Sequence, residues 1–500
     1  MAVIFDIIFL TFEGSSNMKK HKKPSFIMAL VPIIATVLLL MLQLFVYKNF
    51  TPHIPIALGL ALTCVVGYFN GFKWDDMQDG IFHVISVALP SVSVLLIVGM
   101  TVGTWIASGT VPSMIYYGLH IINPTYFLAT SMLLCAFVSV SIGTSWGTTG
   151  TVGLALMGIG AGFGIPPYWI AGSVVSGAFF GDKISPLSDT TNLAPAVAGV
   201  DLFDHIKNLL PTTIPAMLIA LFIYLFAGFS LVSEDSVSLE KINLMTSALE
   251  QKAHISILTL LPILLVIILA VKKFPAIPAL FSGVVLGGII AMLQGVSFQN
   301  LLIYAYDGYK IDTGLVELNS LLNRGGVTSM NWVLTLVLFA LGLGGALERT
   351  KCLQVIMEKV LEKIKSFAGL QIFAIISSIL TNAISGDVYL SIALPGRMLA
   401  PSYRGMGYST KNLSRALEEG GTLVSPLIPW NVGGVFVISA LGLGISEGNI
   451  ENLLYIPLAF ACWISPLIGI IYALTGKFSP KATSDEKEKW KHDQEEILKS

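Results

Sequence analysis

The stretch GAFFGDKISPLSDTTNLAPAVAGVDLFDHI, residues 177–206, lies between apolar runs that are long enough to span a membrane. Around Pro186 it concentrates polar side chains, namely Asp182, Lys183, Ser185, Ser188, Asp189, Thr190, Thr191 and Asn192. Within hydrocarbon, polar side chains and a proline-interrupted backbone are tolerated only where protein or a water-filled cavity satisfies them. Because small hard cations take oxygen ligands, such a cluster beside a broken helix predicts an ion site. A polar loop outside the bilayer is the alternative.

The composition is that of a polytopic membrane protein. Hydrophobic residues make up 54% of the chain and charged residues 12%, and the mean hydropathy is +0.78, whereas soluble domains are about 25% charged. The net charge of −1 excludes nucleic-acid binding through bulk electrostatics. The four cysteines show no metal-ligand or disulfide spacing. With no nucleophile or acid–base motif either, we expect neither an enzyme nor a resident cofactor.

A short motif divides the chain into two related halves. Ser185-Pro186-Leu187 recurs as Ser425-Pro426-Leu427, an offset of 425 − 185 = 240 residues. At a similar offset, the polar break GTSWGTTG (143–150) aligns with TNAISGDVYL (381–390). In transporters built from repeats, matching broken helices frame the binding site. The candidate site therefore extends to residues in both breaks and the second motif: Thr144, Ser145, Asn382, Ser385, Asp387, Ser425 and Asn431.

The distribution of basic residues predicts that the two halves are inverted. Residues 109–125 contain no Lys or Arg, whereas the matching residues 349–365 contain five. Because basic loops mark the cytoplasmic side, the matching loops should lie on opposite faces, with both termini cytoplasmic. The predicted divisions are a cytoplasmic N-terminal tail, membrane repeat 1, an external linker, membrane repeat 2 and a cytoplasmic C-terminal tail: residues 1–23, 24–231, 232–254, 255–476 and 477–500.

Coupling a cation to protons requires a group that binds either one. The histidines lie near span ends or in tails, so a buried carboxylate, whose neutral form desolvation favours, is the better candidate. Asp189 and Asp182 flank the first motif and are the predicted Na⁺ ligands, with neighbouring hydroxyls completing the shell. Lys183 either pairs with Asp182 or carries the proton.

Three other carboxylates have two interpretations each. Asp387 follows the second break and either faces the same cavity or caps a helix. Glu418 and Glu419 follow Arg415, so they are either buried or salt-bridged at the membrane interface.

Two stretches also carry a family resemblance: GTSWGTTGTVGLALMGIG (143–160) and GDKISPLSDTTNLAPAVAGVDLFDHI (181–206). They resemble the NhaC family of sodium/proton antiporters, and the resemblance extends over residues 24–476. That family also contains antiporters that exchange organic acids such as malate and lactate. The resemblance implies an inner-membrane exchanger of the ion-transporter superfamily, in which inverted repeats carry re-entrant helical hairpins.

We therefore predict an all-α polytopic membrane protein with two inverted-topology repeats, broken helices and re-entrant hairpins. The expected function is Na⁺/H⁺ exchange by alternating access at a midplane carboxylate and hydroxyl site. Na⁺- or H⁺-coupled transport of an organic acid or amino acid is the alternative, although only Lys183 and Arg397 offer buried positive charge. A scaffold without transport would leave the buried carboxylates without a role. Expected partners are the bilayer, Na⁺ and H⁺, with a homodimer as the candidate assembly in the bacterial inner membrane.

Overall fold

Helices account for the regular structure throughout the part of the chain described by the computed structural model, residues 22–47, 50–231, 239–272, 274–445 and 448–490. In chain order the helices are α1 Phe26–Met41, α2 His53–Phe69, α3 Trp74–Ala107, α4 Thr110–Ile121, α5 Phe127–Ile142, α6 Ser145–Thr148, α7 Leu154–Gly162, α8 Pro167–Ile184, α9 Asp189–Ala198, α10 Leu202–Leu231, α11 Leu239–Lys252, α12 Leu261–Val271, α13 Ala276–Leu293, α14 Phe298–Asp307, α15 Val316–Leu322, α16 Asn331–Arg349, α17 Cys352–Leu361, α18 Phe367–Ser385, α19 Val388–Gly405, α20 Lys411–Leu417, α21 Val432–Ala440, α22 Tyr455–Leu458 and α23 Phe460–Thr475. Among the described residues, five helices are long and apolar enough to cross a membrane, or up to nine spans if each bent pair counts once. The prediction of an all-α membrane fold with broken helices is confirmed.

Helices α3 and α16 form an antiparallel pair at the centre of the molecule. At one end, Arg349 Nε donates to the Asp76 carbonyl at 3.0 Å. At the other end, the Gly326 amide just before α16 donates to the Gly99 carbonyl at 2.7 Å. The helix that follows α3 therefore leaves from the opposite end to the helix that follows α16.

These two following helices, α4 and α17, define two faces of the molecule. Tyr116 of α4 donates to Glu250 of the linker helix α11 at 2.6 Å, and we call this end the linker face. Lys23 forms a 2.8 Å ion pair with Glu358 of α17, and we call this end the basic face. Because α4 and α17 are counterparts in the two halves, their positions at opposite ends are those that inverted repeats require. The sequence prediction of simple loops at these positions is wrong, since both segments are helical.

The first re-entrant hairpin, residues 127–162, enters from the linker face and returns to it. Helix α5 ends at Gly143, whose φ of 75° is in the left-handed region that glycine adopts readily. Thr144 then caps the returning α6, its hydroxyl accepting from the Gly147 amide at 3.3 Å. The rings of Phe127, at the start of α5, and Phe163, just after α7, lie 5.5 Å apart. Both ends of the hairpin are therefore at one face.

The second re-entrant hairpin, residues 367–405, repeats this construction from the basic face. Helix α18 ends at Gly386, with a φ of 67°. Asp387 then caps α19 and accepts from the Leu390 amide at 2.6 Å. Phe367, at the start of α18, stacks on Tyr408 just beyond α19 with ring centroids 3.8 Å apart. The re-entrant hairpins implied by the family resemblance are thus present.

Each repeat also has a broken span, in which one helix ends at the Ser-Pro-Leu motif and a second helix continues after it. The first, residues 167–198, runs parallel to α5: Ser139 Oγ donates to the Ala178 carbonyl at 2.6 Å and Ser185 Oγ to the Val140 carbonyl at 2.8 Å. The second, residues 411–440, starts at the basic face and ends near Arg324, which donates to the Leu441 carbonyl at 3.5 Å. The two broken spans therefore cross in opposite directions.

Each hairpin tip contacts the broken span of the other repeat. Trp146, at the first tip, stacks on Phe436 of α21 with centroids 4.7 Å apart and planes 10° apart. Tyr389, at the second tip, donates its hydroxyl hydrogen to Asp189 of α9. The repeat interface thus passes through both tips, where the polar sequence breaks lie.

The predicted tails and linker lie partly outside the described residues. Residues 1–21, 232–238 and 491–500 of these segments lie outside the described residues. Of the predicted linker, residues 239–252 form a helix. In the predicted C-terminal tail, the Trp490 ring lies under the Arg404 guanidinium, with 5.5 Å between the ring centroid and Arg404 Cζ. The domain boundaries remain predictions.

The inverted arrangement predicts that cysteines at the two faces are accessible from opposite sides of a membrane. His120 and Lys359 suit this test because both are exposed, on α4 and α17 respectively. We expect an impermeant maleimide to label His120→Cys from outside intact cells and Lys359→Cys only after permeabilisation. The unmodified chain is the control, since Cys64 is half-buried and the other cysteines are buried. Labelling of both positions from one side would contradict the topology.

Candidate ion site

Asp182 lies where the first hairpin tip meets the first broken span. It is in the last turn of α8, with 4% of its surface exposed. Ser145 Oγ donates to Asp182 Oδ2 at 2.7 Å, and the Ser188 hydroxyl lies beside the same carboxylate. Oδ1 has no hydrogen-bond partner among the described residues. This buried carboxylate therefore keeps one oxygen available to a ligand.

Asp189 occupies a different environment from the one that the sequence predicted. Expected to be buried, it is exposed. It begins α9, where the Thr190 amide donates to Oδ1 at 2.9 Å and the Tyr389 hydroxyl donates to Oδ2. A first-turn carboxylate is stabilised by the helix N-terminus. Asp189 is still close enough to act electrostatically on Asp182.

The remaining polar residues of the first motif hold the turn together. Thr191 Oγ donates to the Asp182 and Lys183 carbonyls, at 3.0 and 3.1 Å, and so satisfies backbone groups at the end of α8. The others bond locally: Ser185 to the Val140 carbonyl, Thr190 to the Ser188 hydroxyl, and Asn192 to the Pro186 and Ser188 carbonyls. These contacts fix the geometry of the break in which Asp182 sits.

In the second repeat the predicted site residues form a network of satisfied hydrogen bonds. Asn431 Nδ2 donates to Asn382 Oδ1 at 2.6 Å, and Asn382 Nδ2 donates to the Gly421 carbonyl at 2.6 Å. Ser385 and Ser425 donate to the Thr381 and Thr422 carbonyls at 2.7 and 2.9 Å. Asp387 is the cap of α19, one of the two interpretations that the sequence allowed.

Lys183 is fully buried and faces the second repeat. Its Nζ donates to Ser465 Oγ of α23 at 3.0 Å. In the described part of the chain it forms no ion pair with Asp182, so the predicted structural pair is absent there. The carboxylates that act on its charge are those of Glu419 and Glu418.

Glu418 and Glu419 are the functional candidates that the sequence interpretation undervalued. Both are 0% exposed, as is Arg415, so these residues are buried within the protein. Arg415 Nε lies 4.0 Å from Glu419 Oε1, and Arg415 Nη1 donates to the Phe478 carbonyl at 2.8 Å. The repeat offset was the available signal: 418 − 240 = 178, and Ala178 is in the interior of α8.

Removing the Lys183 charge should destabilise the protein, because it leaves buried carboxylates without a counter-ion. We expect Lys183→Met to lower the unfolding free energy by about 3 kcal/mol, measured as a lower melting temperature of purified protein. Lys183→Met/Glu419→Gln, which removes a charge of each sign, should recover much of this loss. Unchanged stability with lost charge movement in proteoliposomes would instead support the proton-carrier role.

Comparison with known proteins agrees with the geometry. The family model described as the Na⁺/H⁺ antiporter family matches residues 17–190 and 177–477. The chain is 38% identical to the Na⁺/H⁺ antiporter NhaC of Alkalihalophilus pseudofirmus, covering 92% of this chain and 97% of that protein. It is 35% identical to the malate-2H⁺/Na⁺-lactate antiporter of Bacillus subtilis, covering 92% and 97%, and 36% identical to the arginine/ornithine antiporter ArcD of Halobacterium salinarum, covering 91% and 93%. These relatives are named as antiporters and not as enzymes. With its apolar helices and broken spans, the chain belongs to the Na⁺/H⁺ antiporter family.

Proposed function

We propose that this antiporter exchanges Na⁺ for H⁺ across the cell membrane, with Asp182 as the carboxylate for which the two ions compete. The observation that carries the proposal is the buried Asp182 carboxylate, whose Oδ1 lacks a hydrogen-bond partner in the described structure. An ionised carboxylate in such a place needs a cation or a proton. Because Na⁺ and H⁺ neutralise the same anion, binding of one displaces the other, and this competition couples their movements.

The oxygen-rich surroundings of Asp182 support an alkali cation as the substrate. Ser145 and Ser188 place hydroxyl oxygens at the carboxylate. Thr149 lies one helical turn beyond Ser145, on the same side of the returning helical arm of the hairpin. Its buried hydroxyl has no hydrogen-bond partner in the described chain. Hard cations take oxygen ligands of this kind.

The architecture supports alternating access to this site. Asp182 is fifteen residues beyond the start of α8 (182 − 167 = 15), which corresponds to about 22 Å along the helix from the linker face. Asp189 is exposed on the other side of the break, beside Tyr389 of the second hairpin. Since both hairpin tips contact the opposite repeat, a relative movement of the repeats would change which face reaches Asp182.

The positions of the basic residues favour an inorganic cation over an organic acid. Arg397 is exposed and forms a 3.3 Å ion pair with Glu348. Lys183 is already beside Glu418 and Glu419. A substrate carboxylate at Lys183 would meet two like charges, which is unfavourable. The basic face, which carries Lys23 and α17, is proposed to be cytoplasmic by the positive-inside rule.

Neutralising the two aspartates should separate their roles. In proteoliposomes with an imposed pH gradient, we expect Asp182→Asn to abolish ²²Na⁺ uptake, because it removes the contested anion and keeps the side-chain size. Asp189→Asn is the matched control: its exposed charge is screened by water, so we expect only about a two- to fivefold rise in the Na⁺ concentration for half-maximal uptake. Both variants should reach the membrane at wild-type levels.

Two results would contradict this proposal. Asp182→Asn with an unchanged Na⁺ dependence and pH profile would place the site elsewhere, with Asp387 as the next candidate. Wild-type uptake of ²²Na⁺ that requires malate, lactate or arginine on the opposite side would replace Na⁺/H⁺ exchange with coupled transport of an organic substrate.

A further inference from the structure

The buried region around the end of α8 contains an unequal number of acidic and basic groups. Three carboxylates, those of Asp182, Glu418 and Glu419, lie near two cationic side chains, Lys183 and Arg415, and each of the five residues is at most 4% exposed. If all are ionised, the region carries −3 + 2 = −1. A net charge buried in a low-dielectric environment is unfavourable unless a counter-ion neutralises it. One bound proton or one bound cation would therefore neutralise the region.

Both basic side chains lie near Glu419. Arg415 Nε lies 4.0 Å from Glu419 Oε1. Glu419 also packs against Gly469 of α23, where an added Cβ would lie 2.2 Å from Glu419 Oε2. Lys183 contacts Ser465, one helical turn before Gly469 on the same helix, and Glu419 is its strongest electrostatic partner. Glu419 is therefore the carboxylate that these cations compensate most directly.

Glu418 is in a different position. The carboxylate oxygens of both glutamates lack hydrogen-bond partners within the described residues, but Glu419 has Arg415 Nε at 4.0 Å whereas Glu418 has no ion pair there. The charges of Lys183, Asp182 and Asp189, all from the first repeat, act on it electrostatically. It begins the π-helical turn Glu418–Thr422, a distortion that is frequent at functional sites. An orphaned, fully buried carboxylate thus lies at the repeat interface, near Asp182.

Two unpartnered hydroxyls support a ligand at this place independently of the carboxylates. Thr422 Oγ lies beside the Glu418 carboxylate, and Thr149 Oγ comes from the π-helical turn Thr149–Gly153 of the first hairpin. Both are at most 2% exposed and lack hydrogen-bond partners in the described structure. Buried hydroxyls without partners are rare unless water or an ion satisfies them.

We propose that Glu418 is the second carboxylate ligand of the transported cation, so that the site is completed across the repeat interface by Asp182 from one repeat and Glu418 and Thr422 from the other. This inference rests on the proposed function, because it concerns the same cation. A cation held by both repeats stabilises their contact. Moving one repeat against the other changes the ligand set, so binding and conformation are linked.

Equilibrium binding of ²²Na⁺ to the purified full-length protein in detergent tests the proposal without requiring transport. We expect Glu418→Gln to weaken Na⁺ binding by at least about tenfold, because affinity for hard cations depends on ligand charge. The matched control is Arg415→Met/Glu419→Gln, which removes one charge of each sign and so leaves the net charge of the region at −2 + 1 = −1. It should keep the Na⁺ affinity within about threefold and lower the melting temperature. Added Na⁺ should raise the melting temperature of the wild type and not that of Glu418→Gln.

The outcomes separate this inference from the proposed function. Wild-type affinity in Glu418→Gln, together with lost binding in Asp182→Asn, would overturn the role of Glu418 alone. Wild-type affinity in both variants would overturn the Asp182 site. An equal loss in Glu418→Gln and in Arg415→Met/Glu419→Gln would show a general effect on the cluster and contradict the proposal. If Glu418→Gln does not fold, Glu418→Asp provides the test: it keeps the charge at a shorter reach and should still bind Na⁺, more weakly than the wild type.

Discussion

A carboxylate buried inside a membrane protein must be neutralised, and much of this structure follows from that constraint. The first broken span ends at Asp182 and Lys183, and the second carries Glu418 and Glu419 into the same region. Lys183 and Arg415 reduce the negative charge without cancelling it. Under the proposed function, the remaining charge is met by a proton or by the transported cation. The polar cluster would then be a reason for exchange as well as a product of the fold.

The backbone around the cluster obeys a second constraint, that every broken helix end finds partners. Both hairpins use the same solution, a left-handed glycine followed by a capping side chain, with Gly143 and Thr144 in one repeat and Gly386 and Asp387 in the other. In the first repeat, Asp182 Oδ1 has no hydrogen-bond partner among the described residues. In the second repeat, the polar side chains at the break bond to each other, as in the Asn382–Asn431 hydrogen bond. The repeats therefore share a scaffold while their polar side chains differ in use.

The sequence predicted the scaffold better than the site. The recurring Ser-Pro-Leu motif located both broken spans, and the unequal distribution of basic residues predicted the inversion, since both signals depend on local chemistry. Burial of Asp189 was predicted wrongly because its exposure depends on the direction of the first turn of α9. Glu418 and Glu419 were undervalued because Arg415 next to them suggested an interfacial salt bridge. Tertiary packing decides which face of a distorted helix contacts the other repeat. Residue spacing alone does not predict that face.

Under the proposed function, the same charge balance would distinguish exchange from cotransport. With one uncompensated negative charge, the cluster becomes neutral when it holds a single Na⁺ or a single proton. Holding both would leave it positive, and holding neither would leave it negative; each is unfavourable in a buried site. If the repeats can change orientation only when the cluster is neutral, each ion has to leave before the other crosses. In the proposed exchange, obligatory alternation would then follow from the electrostatics of five buried side chains, and the inverted repeats would supply the two orientations that it requires.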